Sequence, residues 1–144
     1  MSTINVEDMA SVIMRGLHEY ADLATDEMKK VYNTVLTAQK RALETVKSGI
    51  AADTVDKAAR DYIYDNGYEG CFGHATGHGV GLFIHEAPTV SAVSKAVLEP
   101  NMVITVEPGI YLKDKFGVRI EDMVAVKENG CHNFTKSPKE LIVL

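Results

Sequence analysis

A chain of 144 residues, 46% apolar and 24% charged, has the size and composition of one ordinary globular domain. Its net charge of −5 leaves no basic footprint for nucleic acid, and two cysteines, Cys71 and Cys131, are too few for a disulfide framework and fit a reducing compartment. No apolar run reaches membrane-spanning length, and the first residues lack the basic-then-apolar order of a signal peptide, so a cytoplasmic protein that engages no membrane is expected.

In chain order, Ile4–Glu19 reads as a helix, with Asn5 as N-cap, Glu7 and Asp8 in the first turn, and Met9, Val12, Ile13 and Leu17 as an apolar stripe. The segment Tyr20–Asp26 is short and polar. A long helix follows over about Asp26–Lys47, stopped by Ser48-Gly49. A third helix runs from about Thr54 to Asp65, capped by Asp53 or Thr54 and closed by Asn66-Gly67. Its inward face is Val55, Ala58, Ala59, Tyr62 and Ile63.

After Gly67 the runs shorten to strand length. Strands are expected near Leu82–His85, Val103–Val106, Ile110–Leu112, Val118–Val126 and Leu141–Val143. Asn101, Pro108-Gly109, Asp114–Gly117 and Asn129-Gly130 are turn signals. Helices first and strands afterwards predict an α+β fold, an antiparallel-rich sheet with helices on one face.

Chemistry concentrates in two stretches. Gly73–Pro88 reads G-H-A-T-G-H-G-V-G-L-F-I-H-E-A-P, and Met102–Val124 contains V-E-P-G-I-Y and V-R-I-E-D-M-V. Three histidines, His74, His78 and His85, thus lie within twelve residues. Gly77, Gly79 and Gly81 alternate around His78, which lets a ligand or another backbone approach closely. Strand alternation does not put His78 and His85 on one face, because their spacing is odd; a bend or bulge must supply that. Period two puts Val103, Thr105 and Glu107 on one face, and Arg119 and Glu121 on another. The bland alternatives are incidental histidines in a glycine-rich bend and a surface Arg–Glu pair. Neutral His78 with ionised Glu107 and Glu121 carries two negative charges, the balance for one divalent cation, and three ligands with open positions is catalytic-site architecture. An ion there activates water and polarises a carbonyl.

T-G-H-G-V-G-L-F-I-H-E-A-P, T-V-E-P-G-I-Y and G-V-R-I-E-D resemble the pita-bread metallopeptidases, nearest to the Xaa-Pro dipeptidases (prolidases) and Xaa-Pro aminopeptidases, with methionine aminopeptidases as cousins. Glu27–Lys40 also resembles the helix that precedes those motifs. The resemblance implies a partial pita-bread fold with a curved sheet in one domain, 1–144. Within it, 1–24 is a helix and connection of uncertain origin, and 25–144 is the C-terminal half of the catalytic domain. It implies His78, Glu107 and Glu121 as metal ligands, Glu121 bridging two ions, and His74, His85 and Arg119 as catalytic positions. Tyr111 matches a nearby tyrosine whose role is left open. The family's two aspartate ligands, carried on a strand pair ahead of the long helix, have no counterpart at their spacing; Asp22 is the one candidate remnant.

The resemblance therefore implies a metal-dependent hydrolase of the bond before proline, acting on peptides with proline at the second position, with an incomplete site. At most one divalent ion (Mn, Co or Zn) per chain is expected, and a homo-oligomer that covers the exposed sheet. The alternative is a catalytically inactive module that binds a peptide or partner through the same cleft.

Overall fold

The computed structural model describes residues 24–142. The expected Ile4–Glu19 helix and Asp22 lie outside the described residues, as does Val143.

Helix α1 spans Asp26–Thr45. Thr25 is its N-cap, the hydroxyl accepting from Met28 N at 3.2 Å, and Asp26 and Glu27 sit in the first turn, where the helix dipole favours them. Val31, Val35, Ala38 and Ala42 form its buried stripe. Helix α2 spans Ala52–Ile63, about two residues earlier than its periodicity predicts. Neither Asp53 nor Thr54 caps it. Ala51 is the N-cap and offers no side chain, because the carbonyl of Ala96 already takes the Ala52 N–H at 2.9 Å. The helix runs on into a π-helical turn, Tyr64–Tyr68, where Gly67 adopts φ 89°.

Seven strands follow: β1 Gly77–Gly79, β2 Glu86–Val90, β3 Val103–Val106, β4 Gly109–Leu112, β5 Phe116–Arg119, β6 Asp122–Lys127 and β7 Gly130–Asn133. Five form a sheet in the order β2-β1-β3-β6-β7, with every pairing antiparallel; β4 and β5 form a separate antiparallel pair. The helices pack on each other and against the strands, α1 touching β3, β4, β5 and β7, and α2 touching β2. Phe72, Leu98, Ile104, Ile110 and Val124 fill the core between them. The α+β expectation holds.

Three strand expectations change. Leu82–His85 is a bend, and pairing begins only at Glu86. The Glu86 carboxylate accepts the Phe83 N–H at 2.7 Å, so local bonds replace the ladder, and Leu82, Phe83 and Ile84 stand 100%, 74% and 73% exposed. Val118–Val126 is two strands, broken at Ile120-Glu121, because β5 pairs with β4 whereas β6 pairs with β3. Leu141 and Ile142 join no strand, and β7, unforeseen, closes the sheet edge beyond the Asn129-Gly130 turn. Asn101 and Asp114 serve as turns with φ of 69° and 58°. Both cysteines are free thiols, and no helix among the described residues is long and apolar enough to cross a membrane.

The centre of the sheet depends on missing side chains. A Cβ at Gly77 would lie 1.9 Å from the Thr105 carbonyl oxygen, and one at Gly79 2.1 Å from that of Ala87. Gly77→Ala therefore forces β1 away from β3 and should destabilise the fold by about 2 kcal/mol or more. A drop in the urea midpoint at constant slope is the expected readout; an unchanged midpoint counts against this packing.

Candidate metal centre and cleft

The histidine segment is held from below. Asp56, on α2, is wholly buried and takes a two-pronged ion pair from Arg60, Nε to Oδ2 at 2.7 Å and a terminal nitrogen to Oδ1 at 2.8 Å. This hydrogen bonding outweighs burial and raises the Arg60 guanidinium above its ordinary range. Arg60 also donates to the carbonyls of Phe72 at 2.7 Å and His74 at 2.8 Å, and its cation lies over the Phe72 ring. Thr76 closes the network, its hydroxyl and N–H both donating to Asp56 Oδ1, at 2.8 and 3.2 Å.

From there the chain enters β1. His78 N–H donates to the Thr105 hydroxyl at 3.0 Å, and that hydroxyl donates to Glu107 Oε1 at 2.9 Å. Glu107 N–H in turn donates to the Thr76 carbonyl at 2.7 Å. His78 and Glu107 are thereby drawn together, Nε2 to Oε1 at 3.1 Å. The bulge that the odd spacing required is present, as a register shift between His78 and Gly79. His85 lies beside His78, with ring centroids 4.3 Å apart.

The remaining groups ring the same cleft. Arg119 Nε lies 3.8 Å from Glu107 Oε2, so the arginine steadies Glu107; its side chain is 53% exposed. Glu121, exposed, lines a smaller lobe of about 290 Å³ together with His78, His85, Glu107 and Arg119. The larger lobe, about 550 Å³, adds His74. His74 Nδ1 donates to the Ala75 carbonyl at 2.8 Å, and the Tyr111 hydroxyl lies 3.0 Å from its Nε2. The six residues predicted from sequence thus line two pockets that share His78, His85, Glu107 and Arg119, with His74 in the larger and Glu121 in the smaller. Among the described residues, however, no three His, Cys, Asp or Glu side chains form a group ready to hold an ion.

The donor chemistry suits a cation. His78 Nδ1 faces the Gly79 carbonyl at 2.9 Å, and a carbonyl only accepts, so the ring proton sits on Nδ1. The Nε2 lone pair then faces a carboxylate oxygen at 3.1 Å. Two acceptors at that distance need a proton or a metal ion with them.

Sequence reasoning missed Asp56, Arg60 and Thr76, and placed Thr105 on the Glu107 face without giving it a role. The Asp56–Arg60 spacing of four on a helix is a visible pairing signal, but one that usually marks a solvated ion pair. Nothing in the sequence separates this buried pair from the exposed Lys57–Asp61 pair beside it.

The profile of metallopeptidase family M24 matches residues 5–128. A Xaa-Pro dipeptidase of Pyrococcus furiosus is 48% identical over 117 residues, covering 81% of this chain and 34% of that relative. Among solved structures, a Xaa-Pro dipeptidase from Bacillus anthracis superposes with a TM-score of 0.82 at 52% identity, over 83% of this chain and 34% of its own. An X-Pro aminopeptidase from Thermotoga maritima MSB8 gives 0.80 at 47%, with the same coverage. The chain belongs to metallopeptidase family M24, the pita-bread metallopeptidases, and spans about a third of the length of these relatives.

Thr105 gives a direct check on the geometry. Thr105→Val leaves His78 N–H and Glu107 Oε1 without their shared partner and should cost about 1–3 kcal/mol. Thr37→Val, which removes a hydroxyl bonded only to its own helix, should stay within about 0.5 kcal/mol. Equal urea midpoints for the two variants would contradict the shared-hydroxyl arrangement.

Proposed function

We propose that the cleft serves metal-dependent hydrolysis of the peptide bond before proline, and that this chain alone supplies an incomplete version of it. The observation that carries the reading is the facing pair His78 Nε2 and Glu107 Oε1, 3.1 Å apart, with His85 and Arg119 at their side. Glu121 is assigned as the third ligand, and a single divalent ion (Mn, Co or Zn) per chain is the expected load. When bound, such an ion activates water and polarises the scissile carbonyl.

The chain's own groups fill the other roles. Arg119, half exposed at the rim and 3.8 Å from Glu107, offers its guanidinium to the carboxylate of a short peptide. His85 stands where it can donate to a developing oxyanion. His74 and Tyr111 form a hydrogen-bonded pair able to pass a proton at Nε2. The chain's net charge of −5 suits a peptide better than a nucleic acid, and a cytoplasmic site of action fits its free thiols.

Activity should be weak. The resemblance calls for two further aspartate ligands, and the chain spans about a third of its relatives. Losing one preorganised stabiliser commonly costs on the order of 10² to 10³ in rate. Xaa-Pro dipeptide hydrolysis by this chain should fall at least that far below a full-length relative, and His78→Ala or Glu121→Ala should abolish what remains. Metal-stimulated turnover matching the relative's would refute the incomplete-site reading.

Assembly follows from the bend. Leu82, Phe83 and Ile84 expose apolar surface beside the cleft, which water does not favour. A homo-oligomer that covers them, burying roughly 2,000 Å² or more, is expected. Light scattering that finds a monomer at working concentration rules this out.

A further inference from the structure

We propose that the buried Asp56–Arg60 pair, acting through Thr76, is the positioning device that sets the separation of His78 and Glu107. The inference rests on the reading of that pair as metal ligands, but it concerns residues that touch neither substrate nor ion.

Three observations carry it. First, Asp56 is wholly buried, and among the described residues its hydrogen bonds besides those from Arg60 come from Thr76. A buried carboxylate needs its partners, so Thr76 has little freedom to move. Second, Thr76 is joined to both ligands. It is two residues before His78, and its carbonyl accepts the Glu107 N–H at 2.7 Å. Third, Arg60 uses its other donors on the carbonyls of Phe72 and His74, so one guanidinium spans the loop that leads into β1. A helix side chain thereby fixes the backbone on both sides of the His78–Glu107 contact. A purely stabilising ion pair would need only Asp56 and Arg60.

The roles separate by substitution in the full chain. Arg60→Lys keeps a positive charge for Asp56 but loses the fork that reaches both carbonyls. Thr76→Val removes only the hydroxyl. Asp61→Asn, on the same helix but in an exposed pair, is the control. Folding is followed by circular dichroism, ring geometry by imidazole nitrogen–proton spectra, and binding by calorimetry with Zn²⁺ alone.

Both test variants should stay folded, shift or broaden the ring signals of His78, and bind Zn²⁺ at least tenfold more weakly. Asp61→Asn should change neither readout. If Arg60→Lys fails to fold, Thr76→Val decides. Wild-type ring signals in folded Thr76→Val overturn the proposal, whatever its melting point. A wild-type chain that binds no Zn²⁺ defeats the metal reading instead; the ring signals of the variants then decide the positioning role alone.

Discussion

The structure depends on a carboxylate taken out of water. Asp56 is buried to completion and paired with Arg60, and removing either partner from such a pair typically costs about 3–5 kcal/mol, because the other group is stranded. That cost ties α2 to the segment it grips, residues 72–76, and through it to β1 and Glu107. A second buried carboxylate performs a parallel task at the other end of the sheet. Asp122 accepts from Gln39 on α1 at 2.6 Å and from Asn133 on β7 at 2.8 Å, and Lys139 Nζ lies 2.7 Å from its other oxygen, off the hydrogen-bonding direction. Each helix is thus keyed to the strands by one buried aspartate. Apolar packing supplies the bulk of the stability, whereas these two points fix the register of helices on sheet.

The cleft is a consequence of that register combined with glycine. Backbones at Gly77 and Gly79 approach their neighbours more closely than any Cβ allows. The resulting tight β1 carries a bulge after His78, and the bend before Glu86 places His85 beside it. Thr105, from the next strand, then bonds His78 and Glu107 with one hydroxyl. His78 and Glu107 converge because backbone and hydroxyl groups hold both of them. Side chains fixed in this way reach their final geometry during folding.

Much of this was legible in the sequence. Glycine alternation around His78 implied close backbone approach, and the odd spacing to His85 implied a bend or bulge; the chain has both, a bulge after His78 and a bend at Leu82–His85. Period two correctly grouped Thr105 with Glu107. The errors share a cause. Leu82–His85 looks like a strand by composition, yet Glu86 bonds back to Phe83 and ends that option. Val118–Val126 looks like one strand, yet its halves have different partners. Pairing partners are tertiary facts, and local apolarity does not encode them. Asp56 was hidden for the same reason: an i, i+4 ion pair reads identically whether it lies in solvent or under a sheet.

The division between firm and open parts of the cleft is itself informative. His78 and Glu107 are each held by several internal bonds and are mostly buried, with 18% and 12% of their side chains exposed. Arg119, Glu121 and His85 are exposed, as is the apolar bend just before His85. Buried, bonded groups keep their geometry without help, whereas exposed side chains adopt a single geometry only when something is packed against them. His78 and Glu107 are therefore held by the described residues themselves, whereas Arg119, Glu121 and His85 stand on an open surface. Any surface packed against this side would order Glu121 and His85 and cover Leu82, Phe83 and Ile84. One apolar contact against the bend would do both, because His85 follows Ile84 directly in the chain.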